Sequence, residues 1–222
     1  LANTEVYNSF LTACAKLHSG PEAVRTVECI LAQMDEDGVQ PDGFTGAIAV
    51  GVYGDAGDLA AAQGFAARAG ADDVVVSNAL LRAAARADNA PLALALLQRM
   101  EENGPAPDLV SYNTALHAVA SASTEALAAH PIDRVAVAQS LREGLRRRGL
   151  REDVATLSCL IKIFSGGNPA VAEGLLDDFT SLQARDGADS KSAGELDRLP
   201  PLDLRGLTAE AAHLALQREL SR

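Results

Sequence analysis

Residues 74–108, VVVSNALLRAAARADNAPLALALLQRMEENGPAPD, decide the fold of this chain. Two amphipathic segments lie inside this stretch. The first spans 75–87, and the second opens at Asn89, a candidate helix cap, with Pro91 in its first turn. Gly104 and the two prolines that follow it prevent the second segment from continuing. The stretch therefore predicts a helix–turn–helix hairpin, which requires neighbours because a single hairpin cannot bury both of its apolar faces.

The hairpin pattern recurs along the chain. Four further stretches repeat its two amphipathic segments. We therefore predict an all-α fold, an α-solenoid of about five helix–turn–helix hairpins, because each hairpin buries its apolar faces against the next. The predicted hairpins span 4–42, 43–73, 74–108, 109–153 and 154–185, within an array over 1–185. The fourth copy has extra residues near 121–131, between its helices, where a loop adds little conformational cost.

Polar residues occupy fixed positions in the copies. The fifth residues, in the chain order of the copies, are Asn8, Ala47, Asn78, Asn113 and Ser158. The closing residues of the first four copies are Asp42, Asp73, Asp108 and Asp153. Helix caps and turns would account for the aspartates alone. An asparagine at a constant position in an otherwise apolar first helix favours a shared binding function instead.

Three stretches carry a family resemblance. The sequences VYNSFLTACAK (6–16), VVSNALLRAAAR (75–86) and VSYNTALHAV (110–119), together with Pro-Asp endings, resemble pentatricopeptide repeats. Tetratricopeptide repeats have a similar length but a pattern that includes Trp, which this chain lacks. The resemblance implies that the α-solenoid is right-handed. It also implies binding of single-stranded RNA, about one base per hairpin, read by two or three side chains.

The resemblance also assigns roles to the repeated positions. The fifth and closing residues would read the base: Asn8/Asp42, Asn78/Asp108 and Asn113/Asp153 would favour uridine over cytidine. Ala47/Asp73 would read weakly, and Ser158 has no identified partner. The second residues would wedge against the base, and these are Phe44, Val75, Val110 and Ala155, whereas Glu5 does not suit that role. Lys16 and Arg86, both the thirteenth residue of a copy, would contact phosphate. The implied preference is 5′-U-x-U-U-x-3′.

Charge is the main objection to an RNA partner. The net charge is −11, which argues against a generic binder of polyanions. The charged residues of the five predicted first helices are nevertheless four basic and two acidic: Lys16, Arg82, Arg86, Lys162, Glu5 and Asp55. RNA binding of modest, salt-sensitive affinity therefore remains the leading hypothesis. A protein-interaction scaffold is the alternative, motivated by the acidity of the first two copies and by Ala47.

The chain changes character after the array. Residues 186–199 are polar and contain glycine and serine, which predicts a linker. The sequence PLDLRGLT and the apolar residues after it predict a short strand and a helix over 200–222. This stretch resembles the start of the small MutS-related (SMR) domain, and we interpret it as a truncated copy. Asp203 matches that motif, but Arg205 replaces its histidine and cannot act as a neutral base. An RNA endonuclease would need an SMR remainder beyond residue 222.

The resemblance and the residues also bear on cofactors and location. Cys14, Cys29 and Cys159 have no metal-ligand spacing, and we interpret them as small buried side chains. We expect no catalytic residue, metal or cofactor here, and no apolar run approaches the roughly 20 residues of a membrane span. The chain opens within a helical pattern without Met, so we expect a fragment, and any targeting peptide would lie upstream. A pentatricopeptide array followed by an SMR domain implies a chloroplast protein of RNA processing, stability or translation, with the mitochondrion as the alternative.

Overall fold

The computed structural model describes residues 3–70, 73–165 and 169–189 of the chain. Every regular element in these residues is an α-helix, which confirms the all-α prediction for them. In chain order the helices are α1 (Thr4–Leu17), α2 (Pro21–Glu36), α3 (Gly43–Asp55), α4 (Leu59–Gly70), α5 (Val74–Arg86), α6 (Ala90–Asn103), α7 (Leu109–Ser121), α8 (Thr124–Ala129), α9 (Arg134–Arg147), α10 (Val154–Ser165) and α11 (Pro169–Asp189). The predicted strand and helix of 200–222 lie outside the described residues.

Aspartates set the start of the first helices. Asp42 and Asp108 cap α3 and α7, where each carboxylate accepts a hydrogen bond of 2.8 Å from the backbone N–H three residues later. Asp153 does the same before α10, and Asp73 accepts from the N–H of Val75 at 2.7 Å. Each cap satisfies an N–H that the helix itself leaves without a partner, and such a bond stabilises a helix by about 1 kcal/mol. The residue that closes one hairpin therefore begins the next.

Residues 74–108 fold as their sequence predicts. The side chain of Asn89 caps α6 by accepting from the N–H of Leu92 at 3.0 Å, and Pro91 lies in the first turn. The helix ends at Asn103, and Gly104 follows in an extended conformation. The hairpin of α5 and α6 is thus defined by local sequence signals at both ends.

The described residues form two compact units, which divide between Pro131 and Ile132. In the first unit α1/α2, α3/α4 and α5/α6 pack as hairpins. The first helices α1, α3, α5 and α7 contact one another in that order, and each second helix also contacts the first helix of the next hairpin. The core between them holds Leu11, Val27, Met34, Leu81 and Leu116. This nearest-neighbour stacking buries the face that a single hairpin would leave exposed.

Helices α3 and α5 approach each other closely at Gly54. A Cβ atom added there would lie 2.4 Å from the Cβ of Ala83 and 3.1 Å from its Cα. Gly51, in the same helix, has open space around the equivalent position. The missing side chain at Gly54 therefore lets the two helices pack this closely, whereas Gly51 has no such role.

We expect Gly54→Ala to destabilise the first unit and Gly51→Ala to stabilise it. The first substitution overpacks a buried contact, which costs about 1–3 kcal/mol. The second only replaces glycine inside a helix, which gains up to about 1 kcal/mol. The two free energies of unfolding can be measured by urea denaturation followed by circular dichroism. Equal stabilisation by both substitutions would contradict the close approach of α3 and α5.

The extra residues of the fourth copy include a short helix where only a loop was expected. Ser123 caps α8 through a hydrogen bond of 3.1 Å from the N–H of Ala126. The backbone N–H of Ser123 donates to the carboxylate of Asp88 at 3.0 Å, in the turn between α5 and α6. A good cap followed by alanine and leucine is sufficient to form one or two helical turns here.

In the second unit, α10 packs against both α9 and α11, and Leu145 and Phe164 are buried. Arg142 of α9 pairs with Glu152, just before α10, through two bonds: Nε to Oε1 at 2.7 Å and Nη2 to Oε2 at 2.9 Å. This bidentate ion pair fixes the relative orientation of the two side chains, and its hydrogen bonds raise the pKa of Arg142 above its usual value. Helix α11 continues to Asp189, past residue 185, where the sequence placed the end of the array.

Candidate nucleic-acid interface

Asn8 lies in a small polar cluster with Asp42 and Thr45. Its Nδ2 atom is 3.1 Å from Asp42 Oδ1 and 3.3 Å from Asp42 Oδ2. Its Oδ1 atom is 2.6 Å from the hydroxyl of Thr45, the third residue of the next copy. The asparagine is buried, with 7% of its surface exposed, while Asp42 is exposed. The amide is therefore held at both of its polar atoms.

The third copy repeats this arrangement with Asn78, Asp108 and Ser111. Asn78 Nδ2 is 3.1 Å from Asp108 Oδ1, and the Ser111 hydroxyl is 2.6 Å from Asn78 Oδ1. Asn78 is again 7% exposed. Two hairpins thus bring together the fifth residue, the closing aspartate and a hydroxyl of the following helix in the same geometry.

Both aspartates have a lowered pKa. Although Asp42 is largely exposed, the desolvation that remains works to raise its pKa. Hydrogen bonds from Thr45 and Asn8 outweigh this effect, so the pKa of Asp42 lies below its usual value. The pKa of Asp108 is lowered in the same way. Burial works to raise it, but hydrogen bonds from Ser111 and Asn78 outweigh that effect. The two carboxylates are consequently ionised at neutral pH and act only as acceptors. The asparagine atom that faces each carboxylate must therefore be the NH₂ group.

The other copies differ. Ala47 is buried and brings no polar atom to Asp73, which caps α5. Asn113 is half-buried on α7 of the first unit, and Asp153 precedes α10 of the second unit, where it caps that helix through Thr156. Ser158 is buried on α10. Base reading by these residues stays a prediction.

The predicted wedge positions are exposed apolar side chains. Phe44, Val75 and Val110 have 55%, 44% and 51% of their surface exposed, and Ala155 is exposed as well. A single exposed apolar residue is ordinary, but here the exposure recurs at the second residue of successive copies. In the two copies with an asparagine cluster, the second residue is Glu5 or Val75. Of these two copies, the third has both the asparagine cluster and an exposed apolar side chain at the predicted wedge position.

The predicted phosphate contacts have unequal surroundings. Lys16 is exposed and has no ion pair within the described part of the chain. The guanidinium of Arg86 instead forms an ion pair with Asp55, and both side chains are more than half exposed. Asp55 is the thirteenth residue of the second copy, as Arg86 is of the third, so side-by-side stacking of α3 and α5 brings them together. The sequence shows Asp55 as an acid of a first helix, but its pairing with Arg86 was not predicted.

Thr45 and Ser111 were also missed. The signal was present in the sequence, because a hydroxyl residue is the third residue of each copy that follows an asparagine-bearing copy. Their pairing with the previous asparagine could not be read from the sequence, because it depends on how close successive first helices lie. A capping box between each hydroxyl and its own aspartate would have been the ordinary interpretation, and that contact is present too.

The remaining predicted features do not form a site. In the described residues no group of His, Cys, Asp and Glu is arranged to hold a metal ion, and no helix is long and apolar enough to cross a membrane. Cys29 is exposed, contrary to the burial expected, since it lies on the solvent side of α2. Burial raises the pKa of the half-buried Cys159 thiol to about 11. Asp203 and Arg205 lie outside the described residues.

Comparisons with known proteins agree with the fold. The family model described as a pentatricopeptide repeat domain matches residues 71–121. The crystal structure of the pentatricopeptide repeat protein PPR10 from maize matches with 24% identity and a TM-score of 0.55, covering 100% of this chain and 35% of that chain. PPR10 in complex with an 18-nt psaJ RNA element matches with 23% identity and a TM-score of 0.51, covering 100% of this chain and 34% of that one.

These likenesses show a helical fold of the pentatricopeptide type for the chain. The chain spans about a third of the length of the structures it matches. No curated protein matches it.

Proposed function

We propose that this chain is part of a pentatricopeptide repeat protein that binds single-stranded RNA and prefers uridine opposite its asparagine-bearing hairpins. The observation that carries the proposal is the repeated cluster at Asn8 and Asn78, where a buried amide is fixed by an aspartate and a hydroxyl. PPR10, which has the same type of fold, is in complex with RNA in one of the matching crystal structures, and this agrees with the proposal.

The chemistry of the cluster favours an acceptor on the base. One N–H of the Asn78 amide is directed to Asp108, and its carbonyl oxygen receives the Ser111 hydroxyl. The second N–H is the remaining donor of the amide. Uracil offers carbonyl oxygens as acceptors, whereas the equivalent exocyclic group of cytosine is a donor amine. A uridine is therefore the better partner of the two pyrimidines.

Exposed apolar side chains next to the clusters supply the second contact. A base can stack on a side chain whatever its sequence, because every base has a flat π-face. Phe44, Val75 and Val110 present such surfaces near the start of successive first helices. Stacking would provide affinity, and the asparagine clusters would provide selectivity.

A direct test compares binding of a U-rich and an A-rich RNA decamer by fluorescence anisotropy. We expect tighter binding of the U-rich oligomer, by about tenfold, because each well-formed hydrogen bond contributes about 1 kcal/mol. Affinity for both should decrease with salt, since phosphate contacts release counterions. Equal affinity for the two oligomers would overturn the proposed base preference.

The ion pair of Arg86 limits the phosphate contacts. We expect Asp55→Asn to strengthen binding of both oligomers severalfold, because it frees Arg86 and removes a negative charge from the same face. The slope of log affinity against log salt should become steeper by about one. Affinity would be measured by anisotropy over a range of salt concentrations.

Asp35→Asn is the matched control. Asp35 is exposed on the second helix α2, and its substitution changes the net charge by the same amount. An equal gain in affinity from both variants would show that only the net charge matters. In that case Arg86 would have no phosphate role.

A protein-interaction scaffold is the second candidate, and one feature of α1 favours it. Val6, Phe10 and Leu17 are exposed apolar residues on this helix. The residues of α3 equivalent to the first two, Thr45 and Ala49, are fully buried. If these side chains of α1 bind a second copy of the chain, nuclease-treated protein should self-associate with increasing concentration in sedimentation velocity. Phe10→Ser should then abolish the self-association. A concentration-independent monomer would remove the support for a second copy as the partner.

The assignments of an SMR domain and of an organelle rest on sequence resemblance. The stretch 200–222 supports an SMR start after the array, and the combination supports a chloroplast protein, with the mitochondrion as the alternative. Arg205 in place of the motif's histidine supports a binding rather than a cleaving function for this chain. Incubation of the purified chain with labelled RNA should leave the RNA intact, and reproducible cleavage would overturn the non-catalytic assignment.

A further inference from the structure

We infer that Thr45 and Ser111 are positioning residues that determine pyrimidine choice, because each locks the amide of the preceding hairpin's asparagine so that only an N–H faces the RNA. The inference rests on the proposed RNA binding. It extends the reading unit from two side chains of one hairpin to a third, contributed by the next hairpin.

The aspartates fix the orientation of the amides. Asn8 Nδ2 lies 3.1 Å from Asp42 Oδ1, and a carboxylate can only accept, so this corner of the amide must be the NH₂ group. The same reasoning applies to Asn78 and Asp108. The carbonyl oxygen of each asparagine therefore points to the hydroxyl.

Each hydroxyl has a single proton to donate. The Thr45 oxygen is 2.6 Å from Asn8 Oδ1 and 2.8 Å from Asp42 Oδ1, so it could donate to either. Asp42 Oδ1 already receives the N–H of Thr45 at 2.8 Å and the amide of Asn8. Asn8 Oδ1 has no such second donor among the hydrogen bonds of this cluster. The Thr45 hydroxyl therefore donates its proton to Asn8 Oδ1, and this contact is also the shorter of the two.

Two anchors are needed to hold the amide in one orientation. A single bond from Nδ2 to the aspartate leaves the amide free to turn about its Cβ–Cγ bond. The oxygen could then face the RNA and accept the amine of cytosine. A second bond, to the oxygen, fixes the plane of the amide, so the outward group is a donor only. Preorganisation of this kind raises discrimination because the wrong base meets an unpaired polar group.

The pairing of residue types along the chain supports the lock independently. Where the fifth residue is asparagine, the third residue of the next copy carries a hydroxyl, and where it is alanine, the hydroxyl is missing. The pairs are Asn8 with Thr45, Asn78 with Ser111, Asn113 with Thr156, and Ala47 with Val76. Helix capping alone does not predict this, because Asp73 caps α5 without a hydroxyl at Val76. The hydroxyl therefore accompanies the asparagine rather than the cap.

The test compares the wild type with the near-isosteric double variant Thr45→Val/Ser111→Ala. Binding of U-rich and C-rich decamers is measured by anisotropy. We expect the U-to-C affinity ratio to fall roughly tenfold, since a hydrogen bond of ordinary strength is lost at each cluster. The variant Thr45→Ser/Ser111→Thr keeps both hydroxyls and should restore the ratio. Thr26→Val, which removes a hydroxyl on α2 that bonds to the backbone of Glu22, should leave the ratio unchanged.

A purely structural role gives a different result. If the hydroxyls only cap helices, the double variant loses affinity for both oligomers by the same factor and keeps its ratio. That outcome overturns the inference.

A second readout separates the lock from RNA binding. In ¹⁵N NMR spectra of the RNA-free protein, the two amide protons of Asn78 should exchange with water at distinct rates, and Ser111→Ala should remove that difference. If the wild type binds all decamers with equal affinity, the proposed base preference is overturned. The exchange rates of the Asn78 amide protons then still test whether Ser111 fixes the orientation of that amide. Unchanged exchange in Ser111→Ala overturns the inference.

Discussion

Replacing both Asn78 and Asn113 by alanine is expected to remove most of the preference for U-rich over A-rich RNA while leaving much of the affinity, because Asn8 then remains as the single proposed reading asparagine. Asn78 is the proposed reading residue of the third copy, where it is buried, contacts Asp108 and shares its helix with the exposed Val75. Asn113 is the fifth residue of the next copy along. Each substitution removes an amide, and we expect a loss of about 1 kcal/mol of discrimination at each position. The U-to-A affinity ratio should fall most of the way towards one, and the remaining preference is that of the Asn8 cluster.

The chain contains a natural precedent for this variant. Ala47 occupies the same position in the second copy, and that hairpin is well packed without an asparagine. The double variant should therefore fold, and its melting temperature should decrease by only a few degrees. Fluorescence anisotropy gives the two affinities, and calorimetry gives the stability.

Asn103→Ala is a suitable control for the double variant. Asn103 is exposed at the end of α6, outside the clusters. It should keep the preference of the wild type. An undiminished preference for U-rich RNA in the double variant would assign selectivity to other residues.

The fold was largely predictable because its signals are local. Helix periodicity, the cap at Asn89 and the stop at Gly104 each depend on neighbours along the chain, and all three are present in the structure. Helix α8 was missed because the sequence signal of a short helix is weak. Its cap at Ser123 is held partly by Asp88, from a distant turn.

The chemistry of the interface was less predictable because it depends on contacts between distant residues. The aspartates and asparagines could be placed at constant positions, but the contacts between them depend on the spacing of stacked helices. That spacing brings Thr45 to Asn8 and Asp55 to Arg86. The first contact adds a residue to the predicted reading pair. The second removes some of the positive charge on which the sequence argument for phosphate binding relied.

Removal of the exposed apolar side chains should have a different effect from removal of the asparagines. We expect Phe44→Ser/Val75→Ser/Val110→Ser to weaken binding of U-rich and A-rich RNA by the same large factor. Stacking on an aromatic side chain contributes about 1–3 kcal/mol per base, so loss of Phe44 alone should reduce affinity about tenfold. The two valines add smaller losses. The U-to-A ratio should remain close to that of the wild type.

The fold should tolerate the triple substitution. The three side chains are about half exposed, and surface substitutions away from buried contacts usually change stability by less than about 0.5 kcal/mol each. An unchanged melting temperature would attribute the lost affinity to the RNA contact. Anisotropy with both decamers measures the effect.

The matched control removes three exposed apolar side chains from another face. Val6→Ser/Phe10→Ser/Leu17→Ser takes one valine, one phenylalanine and one leucine from α1, and all three are exposed. These residues do not occupy the second position of a copy, so RNA affinity should change little. Equal losses in both triple variants would mean that general surface hydrophobicity drives the binding. A loss of affinity for only one of the two decamers in the variant Phe44→Ser/Val75→Ser/Val110→Ser would mean that these side chains read the base rather than support it.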